Sequence, residues 1–389
     1  MHKKNLLFLS AYFPNADAPN VATYIKQTLV ALSDHYTIDA IVPVSWLNRV
    51  FSRNIPHASS LSGIHIYYPT YYYTPFVLRS LYGHFYYYSI LDIVTRLTKT
   101  KKYDLIYSPW LYPDAWVAAK VANCLDIPLY AHVLGSDVNR LKANTFLSSK
   151  SLYVADCANR IICVSNQLRD KLIELGCNPK KLVYLQNGVD HKIFYSVDKN
   201  SARNGLGLET ADKVILYVGN IKKEKGLGEL AHAFGNIVKS KKYSRIKLIV
   251  IGSGRYMPVF KKCLQQHGIA PFTVILGERS LEIIAQYMNA CDVLCLPSYM
   301  EGQPNVVIEA LTCRTKIVST TVGGIPDLDD GLGNIKLVPP RTVEELSEAL
   351  IEMLDKESCH IGQTTTHSWE QYADRLKNIF EQVPEYSMT

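Results

Sequence analysis

Short apolar runs alternate with longer amphipathic segments along most of the chain. Residues 6–12 (LLFLSAY), 104–110 (DLIYSPW) and 160–165 (RIICVS) are such runs, and a segment with helical spacing of apolar positions follows each of them. This alternation is typical of a parallel sheet covered by helices, because parallel strands need long crossover connections. We predict a doubly wound α/β domain for this part of the chain.

The alternation stops after Phe194 and starts again near residue 213. Residues 196–212 are polar, contain glycine and have no apolar period, which predicts a linker. We therefore predict two Rossmann-like doubly wound domains, 1–195 and 213–365, with a C-terminal helix in 366–389 that crosses back to the first domain. Ligands of such sheets bind outside the carboxyl ends of the strands, so two facing domains are expected to hold one ligand each across a shared cleft.

Composition and charge narrow the class of protein. Of the 389 residues, 48% are apolar and 20% charged, as in ordinary globular proteins, and the net charge of +7 suits an anionic partner without favouring nucleic acid. The nine cysteines are scattered without a CxxC pair, which indicates reduced thiols in the cytosol. Residues 1–13 fit a buried first strand better than a signal peptide, and no apolar stretch approaches the roughly 20 residues of a membrane span.

Residues 298–311 (SYMEGQPNVVIEAL) combine a helix start with two carboxylates. Pro304 and Asn305 suit the first helical turn. The backbone N–H groups expected to attract an anion such as phosphate there belong to Gly302, Gln303 and Asn305. Glu309, one turn further, can accept from a pair of sugar hydroxyls, and Glu301 can do so for a second ring. A capped helix with two solvated glutamates explains the pattern equally well.

A second group of candidate residues lies in 216–230 (LYVGNIKKEKGLGEL). The predicted strand ends at Gly219 and the next helix begins near Gly226, with three lysines at its start: Lys222, Lys223 and Lys225. Cations are unfavourable at a helix N-terminus, so an anion is expected to bind there. Lys225, beside Gly226, would neutralise a pyrophosphate, although a solvated basic turn is the alternative.

Two weaker candidates follow other predicted strands. His132 and Asp137 stand at the end of the run 127–135, within reach of an acceptor hydroxyl and the reacting sugar, but a lone histidine is more often structural. Asp327 and Asp329 have the spacing of a DxD metal-binding motif. The glycine turn before them is a better explanation of the aspartate at position 327 than metal binding. We predict no metal site.

The order of these motifs resembles glycosyltransferase family 4, whose members are retaining enzymes of GT-B fold. The resemblance rests on 216–226, on the EGxPN-x3-E element from Glu301 to Glu309 and on GGIPD at 323–327. It extends to AHVLGSDVN at 131–139 and NGVD at 187–190, and so covers nearly the whole chain.

The resemblance implies a role for each matching residue. Glu309 would hold the donor ribose, Glu301 would contact the donor sugar, and Lys225 would bind the pyrophosphate. The backbone donors to the sugar and phosphate would come from Gly302, Gln303 and Asn305, with Pro304 in contact between them, beside the strand end at Gly219 and Asn220. His132 or Asp137 would face the donor sugar or the acceptor. No bound metal and no other cofactor is implied, because lysine and helix dipoles act at the leaving phosphate.

The chain departs from the family pattern at four places. One is the end of the first strand, where Pro14 to Asn20 replace the usual glycine pair, so that acceptor contacts there cannot be transferred. Asn220 stands where the family has arginine, and Lys222 or Lys223 could take its place. Leu134 stands where the family has histidine or arginine; His132, on the same face of an extended strand, is transferred to that role. Arg314 replaces the usual glycine, a change that we interpret as structural.

The segment from Tyr67 to Lys102 is rich in tyrosine and ends in basic residues. Between Pro75 and Lys102 it has five Lys or Arg and one Asp. Aromatic rings with polar tips favour the bilayer interface, and basic flanks favour anionic headgroups. We expect this segment to dock on an anionic membrane at the cytoplasmic face. A tyrosine-rich helix pair packed within the domain, or a sugar-stacking surface, is the competing interpretation.

Together with the resemblance, these features predict a hexosyltransferase that uses a nucleotide-sugar donor, UDP- or GDP-linked, and a glycan or lipid-linked glycan acceptor of surface polysaccharide biosynthesis. Retention at the anomeric carbon is what the resemblance implies. Two alternatives stay open. A sugar-nucleotide epimerase could use the same two-domain scaffold, and a non-catalytic subunit could bind a nucleotide sugar or a membrane without turnover.

Overall fold

The structure is a computed structural model that describes residues 3–15, 17, 21–51, 55–75, 77–357 and 366–382. The chain divides into two compact units, Met1–Asn187 with Trp369–Thr389, and Gly188–Ser368. We call them unit 1 and unit 2. The ends of the predicted second domain at 358–365 and of the C-terminal segment at 383–389 lie outside the described residues, as do Phe76 and Cys359.

Sixteen strands occur in the described residues. In unit 1 they are β1 (Lys4–Leu9), β2 (Tyr36–Ile41), β3 (Val44–Ser45), β4 (Ala58–Leu61), β5 (Ile64–Tyr67), β6 (Thr70–Tyr71), β7 (Leu105–Pro109), β8 (Leu129–Val133), β9 (Arg160–Cys163) and β10 (Leu182–Tyr184). In unit 2 they are β11 (Lys213–Val218), β12 (Ile246–Ile251), β13 (Thr273–Gly277), β14 (Val293–Leu296), β15 (Ile317–Thr320) and β16 (Ile335–Val338).

Fourteen α-helices occur in the same residues. They are α1 (Thr23–Leu32), α2 (Trp46–Phe51), α3 (Tyr82–Thr100), α4 (Trp116–Leu125), α5 (Ser136–Asn139), α6 (Phe146–Cys157), α7 (Asn166–Glu174), α8 (Lys199–Leu206), α9 (Leu227–Lys239), α10 (Met257–Gln266), α11 (Leu281–Ala290), α12 (Asn305–Thr312), α13 (Val343–Asp355) and α14 (Trp369–Glu381). Helices α8 to α13 belong to unit 2.

The sheet of unit 1 has the order β10-β9-β8-β7-β1-β2-β5-β4 and is parallel except for β4 at its edge. A separate parallel ribbon joins β3 to β6. The two faces of the large sheet carry two apolar cores, one under α3, α4 and α6 and the other under α1 and α14. The order reverses between β1 and β7, so the connections that leave the carboxyl ends of these two strands go to opposite sides of the sheet.

The C-terminal helix α14 belongs to unit 1. Trp369, Tyr372, Ala373, Leu376, Ile379 and Phe380 are buried, at the three- and four-residue spacing of one helical face. The Tyr130 hydroxyl donates to the carbonyl of Phe380 over 2.7 Å. The apolar face of this helix completes the second core of the unit.

The sheet of unit 2 is wholly parallel, with the order β13-β12-β11-β14-β15-β16. Numbered from the first strand of the unit this is 3-2-1-4-5-6, the order of dinucleotide-binding folds. The order reverses between β11 and β14, so a ligand crevice is expected where these two strands end. The prediction of two doubly wound α/β domains is confirmed.

The prediction that 196–212 is a linker without regular structure is wrong in part, because helix α8 lies within this segment. The Asp198 side chain accepts from the Ser201 amide and caps the helix, and the Arg203 guanidinium is buried 2.9 Å from an Asp292 carboxylate oxygen. The helix has few apolar residues, and a polar contact to another part of the sheet fixes it. The first unit also ends at Asn187 rather than at the predicted residue 195.

Two further predictions concern cysteines and membrane spans. The eight described cysteines are free. Among the described residues, no helix is both long enough and apolar enough to cross a membrane.

Candidate active site

The predicted residues of unit 2 meet at its point of strand-order reversal. Lys225 follows β11, and residues 298–305 follow β14, the strand beside it. The Tyr299 amide donates to the carbonyl of Glu224 over 2.8 Å, which ties the two loops together. Topology therefore brings together two motifs that are far apart in sequence.

Glycine is required at two places where these loops touch. Gly226 has φ +68°, and a Cβ there would lie 1.9 Å from the carbonyl oxygen of Pro297. Gly323 has φ +63°, and a Cβ there would lie 2.6 Å from the carbonyl oxygen of Gly302. The GGIP turn, whose signal in the sequence is weak, is therefore in close contact with the start of the EGxPN element.

Lys225 and Glu301 form an ion pair. The Lys225 Nζ atom lies 2.5 Å from Glu301 Oε1, and the two side chains are 23% and 10% exposed. In the sequence the two residues had separate expected partners, a pyrophosphate and a sugar. In the structure each is the partner of the other.

The element between the two glutamates starts helix α12. Pro304 is the residue before the first helical position, and no side chain caps this end of the helix. Gln303 and Pro304 are buried, whereas Gly302 and Asn305 are half-buried. A positive helix end therefore begins four positions after Glu301 in the chain.

Glu309 lies one turn into α12 and is half-buried. Desolvation raises the pKa of its carboxyl to about 7. No hydrogen-bond or ion-pair partner for this carboxyl occurs within the described part of the chain. Such a carboxyl can accept hydroxyl hydrogens from a bound ligand once it is ionised.

The other predicted positions line the end of β11. Gly219 has φ +153° and Asn220 is exposed, with the Tyr217 hydroxyl donating to the Asn220 carbonyl over 3.0 Å. Lys222 and Lys223, the proposed substitutes for the missing arginine, are both exposed. The strand end of β12 packs close by, since a Cβ on Gly252 would lie 2.0 Å from the Gly219 carbonyl oxygen.

His132 does not lie at a surface of unit 1. His132 is the next-to-last residue of β8, its ring is 1% exposed, and its Nδ1 atom lies 2.6 Å from the Tyr107 hydroxyl. Burial lowers the pKa of His132 to about 3, so the imidazole is neutral. The role that we transferred from Leu134 would need an accessible side chain, whereas His132 is buried. We do not include His132 in the proposed site.

Asp137 lines a pocket of unit 1, but its carboxylate oxygens lie against backbone amides of the chain. One oxygen accepts from the amides of Leu134 and Gly135 over 3.2 and 2.9 Å, and the other lies 3.4 Å from the Leu111 amide. Desolvation, the largest effect, raises the pKa of Asp137. The residue positions the turn after β8, which the sequence could not distinguish from a catalytic role.

Sequence reasoning missed Asp114, which lies in the turn after β7 and lines the same pocket. The side chain is fully buried, and desolvation raises the pKa of its carboxyl to about 7. The signal available was its position: a carboxylate just after a predicted buried strand of the parallel sheet.

Two family models match the chain. Residues 44–193 match the one described as "Glycosyltransferase Family 4", and residues 212–356 match "Glycosyl transferases group 1". The chain belongs to glycosyltransferase family 4. The family 4 chain is therefore a hexosyltransferase of GT-B fold, in agreement with the resemblance of its motifs.

Relatives of this glycosyltransferase span most of its length. The putative teichuronic acid biosynthesis glycosyltransferase TuaC of Bacillus subtilis is 27% identical over 89% of this chain and 88% of its own. A D-inositol 3-phosphate glycosyltransferase of Mycobacteroides abscessus is 28% identical over 72% of this chain and 66% of its own.

Solved structures share the fold of the glycosyltransferase. Anabaena HepE, in complex with UDP and glucose, has a TM-score of 0.74 at 17% identity and covers 98% of this chain and 100% of its own. Sucrose-phosphate synthase of Thermosynechococcus elongatus has a TM-score of 0.73 at 18% identity and covers 97% of this chain and 95% of its own.

Proposed function

We propose that the enzyme transfers a hexosyl group from a UDP- or GDP-linked donor to a glycan or lipid-linked glycan in surface polysaccharide biosynthesis, with retention at the anomeric carbon. The observation that carries the proposal is the grouping of Lys225, Glu301 and Glu309 where the strand order of unit 2 reverses. The name of TuaC and the ligands of HepE support the pathway and the donor class.

Binding of the donor would replace the contact between Lys225 and Glu301 with contacts from each side chain to the donor. The diphosphate competes for the Lys225 ammonium, and Glu301 is then left to accept from hydroxyls of the donor sugar. Glu309, ionised, accepts from the ribose hydroxyls. Lys225 and the N-terminal end of α12 stabilise the negative charge that develops on the leaving phosphate.

Transfer forms the bond between the acceptor oxygen and the anomeric carbon and breaks the bond from that carbon to the phosphate oxygen. The bonding electrons leave with the phosphate, and one of its oxygens takes the acceptor proton. Attack comes from the face that the phosphate leaves, which retains the configuration.

We propose that the reaction requires no metal ion. Lys225 and the helix end supply the positive charge that a divalent cation supplies in other transferases. Turnover in excess EDTA should equal turnover in Mg²⁺. Loss of turnover in EDTA that Mg²⁺ restores would contradict metal independence.

We also propose that unit 1 docks on anionic membranes at the cytoplasmic face, through part of the segment from Tyr67 to Lys102. Much of that segment is packed: Tyr86 is buried, the Tyr71 and Tyr73 rings stack at 5.0 Å, and Lys101 pairs with Asp39. The exposed apolar, aromatic and basic members are Tyr72, Val77, Leu78, Leu81, Tyr88, Arg96, Lys99 and Lys102, and Asp92 is exposed as well. The membrane surface that we propose is therefore this smaller set.

Liposome sedimentation tests the membrane proposal. The enzyme should sediment with vesicles that contain phosphatidylglycerol and not with pure phosphatidylcholine, because basic side chains need anionic headgroups. A Tyr72→Ser/Leu78→Ser/Tyr88→Ser variant should sediment less. Equal sedimentation of this variant and wild type, or none of wild type, would contradict membrane docking.

Nucleotide release with product analysis tests the function. UDP-glucose and GDP-mannose serve as donor probes, with and without a glycan fraction that includes lipid-linked glycans. Acceptor-dependent release of UDP or GDP, with the hexose on the glycan in the donor's anomeric configuration, is the expected result. An altered sugar still on its nucleotide would indicate an epimerase, and binding without turnover a non-catalytic subunit.

A further inference from the structure

A pocket of about 680 Å³ lies at the amino-terminal edge of the large sheet of unit 1. Four neighbouring strands, β1, β7, β8 and β9, begin at this pocket, and the residues at their starts that line it are Lys4, Leu105, Pro128 and Asn159. We call it the amino-edge pocket. Its volume is typical of small-molecule sites, and it lies at the edge of the sheet opposite the carboxyl ends of the strands.

The amino-edge pocket has an excess of negative charge. Asp104, Asp126 and Glu381 line it, and Lys4 is the one basic residue among its described lining residues. None of the three carboxylates forms an ion pair within the described part of the chain; Asp104 accepts a hydrogen bond from the Asn5 amide over 2.7 Å. Such a lining favours a cationic ligand.

Two helices end at this pocket and add to its negative potential. Helix α4 ends at Leu125, with Asp126 as its C-cap, and α14 ends at Glu381. The last carbonyl groups of a helix lack intrahelical donors and form the negative end of its dipole, which favours cations. Neither of these two helices, both described over their full length, has a basic residue in its last turn.

A buried hydroxyl without a partner lies at the wall of the pocket. Tyr36, the first residue of β2, is 2% exposed, and its hydroxyl has no hydrogen-bond partner within the described residues. Its ring centroid lies 6.0 Å from that of Phe380, a lining residue. Desolvation raises the pKa of Tyr36 most, and the charges of Glu381 and Asp104 add to this rise. Because both carboxylates belong to the pocket, the hydroxyl faces it, and a ligand there could satisfy this group.

The arrangement of the carboxylates does not suit a single metal ion. Across the described ranges, no three His, Cys, Asp or Glu side chains lie close enough together to hold one. The negative groups of the pocket are therefore spread along it, and apolar side chains, among them those of Leu105, Ile127 and Phe380, share the lining. Several cationic groups joined by methylene chains match this combination.

We propose that the amino-edge pocket binds a linear polyamine such as spermidine. Its ammonium groups would donate to Asp126, Glu381 and the terminal carbonyls of α4 and α14, and one of them to the Tyr36 hydroxyl. Its methylene chain would pack on the apolar lining. The site is independent of the nucleotide-sugar site in unit 2, and the proposal does not depend on the proposed function.

Isothermal titration with spermidine, in the absence of a nucleotide sugar, tests the proposal. Mg²⁺ and trilysine are the comparison ligands at equal ionic strength. Mg²⁺ concentrates its charge at one point, and trilysine has the net charge of spermidine on a bulkier peptide backbone. Spermidine should bind saturably and more tightly than either. Absence of saturable spermidine binding, or equally tight binding of Mg²⁺ or trilysine, would overturn the proposal.

A double variant locates the binding. Asp126→Asn/Glu381→Gln removes two exposed charges, and asparagine suits the φ of +53° at position 126. Spermidine should bind this variant about tenfold more weakly. Glu174→Gln/Glu348→Gln, at exposed positions of α7 and α13, is the control with the same net charge and should bind as wild type does. Equal spermidine affinity in the two double variants would overturn the proposal.

Tyr36→Phe tests the contact that net charge cannot explain. The substitution keeps the buried ring and removes only the hydroxyl, so the fold should be retained, as thermal unfolding without ligand would show. Spermidine should bind this variant about threefold more weakly, the loss expected for one hydrogen bond. Wild-type spermidine affinity in folded Tyr36→Phe would overturn the proposed mode of binding.

Discussion

The Nζ atom of Lys225 lies 2.5 Å from Oε1 of Glu301, and the two residues are 76 positions apart in the chain. The pair joins the loops that follow two adjacent parallel strands, β11 and β14. The positive charge of Lys225 and the negative charge of Glu301 compensate each other. A diphosphate and a sugar can replace these contacts together, so the pair is both a structural link and the expected binding site.

Removing one member of the pair should cost stability. Lys225→Met leaves the Glu301 carboxylate, 10% exposed, without its cation. We expect a loss of ~1–3 kcal/mol in the free energy of unfolding, between the values of exposed and buried pairs. Urea denaturation measures it.

Lys225→Met/Glu301→Gln separates stability from binding. Removing both charges should recover most of the lost stability, while affinity for a nucleotide sugar stays low. A double variant as unstable as Lys225→Met would show that the pair does not account for the loss.

The stability of the enzyme should depend on pH through Glu309. Its pKa is about 7 in the folded chain, against 4.5 for an unperturbed glutamate side chain. Because the folded value is the higher one, its contribution to stability is fully present below pH ~4.5 and is lost as the pH rises through about 7. Glu309→Gln cannot titrate, so wild type should lose stability relative to this variant between pH 5 and 7.5. Denaturation at several pH values measures the difference; parallel profiles would contradict the raised pKa.

Gly226 should tolerate no side chain. Gly226→Ala places a Cβ against the Pro297 carbonyl at a positive φ, and we expect a loss of ~2–4 kcal/mol. Gly228→Ala is the matched control, since its Cβ would lie 3.6 Å from the Tyr256 hydroxyl within α9 and should be neutral or stabilise by up to ~1 kcal/mol. Thermal unfolding of the two variants compares them; similar melting temperatures would contradict the close packing.

Arg314 occupies a left-handed position after α12, with φ +60°. Glycine is favoured there, and the side chain is exposed. Arg314→Gly should therefore stabilise the enzyme by ~0.5–1 kcal/mol, the relief of backbone strain less the added entropy of the unfolded chain. Lys262→Gly, on an exposed helical position of α10, should destabilise by about 1 kcal/mol. A destabilised Arg314→Gly would indicate that the arginine makes a contribution beyond its backbone conformation.

The sequence predicted the sheets well because their strands are continuous apolar runs. The strand predicted to end at Gly219 is β11, which ends at Val218, and the predicted first helical turn at Pro304 and Asn305 is the start of α12. Helix α8 was missed because a polar contact between Arg203 and Asp292 fixes it rather than an apolar face.

The types of residue in the candidate site could be predicted from the sequence, but the contacts between these residues could not. Glycines at strand ends and a proline at a helix start have local signals, whereas the Lys225–Glu301 pair depends on strand order. Likewise, strand alternation did not show that the face of β8 that carries His132 is buried. Asp114 has no motif around it, and its position just after a predicted buried strand is the only signal that the sequence offers for it.

Isothermal titration with UDP-glucose and GDP-mannose in the presence of EDTA tests the central claim most directly, that the Lys225, Glu301 and Glu309 group binds a nucleotide sugar. Wild type and the control Lys239→Met, at the far end of α9, should bind one of the two donors equally well. Lys225→Met and Glu309→Ala should each bind it at least tenfold more weakly, the loss expected for one charge-assisted contact. Wild-type affinity in both of these variants would contradict the account.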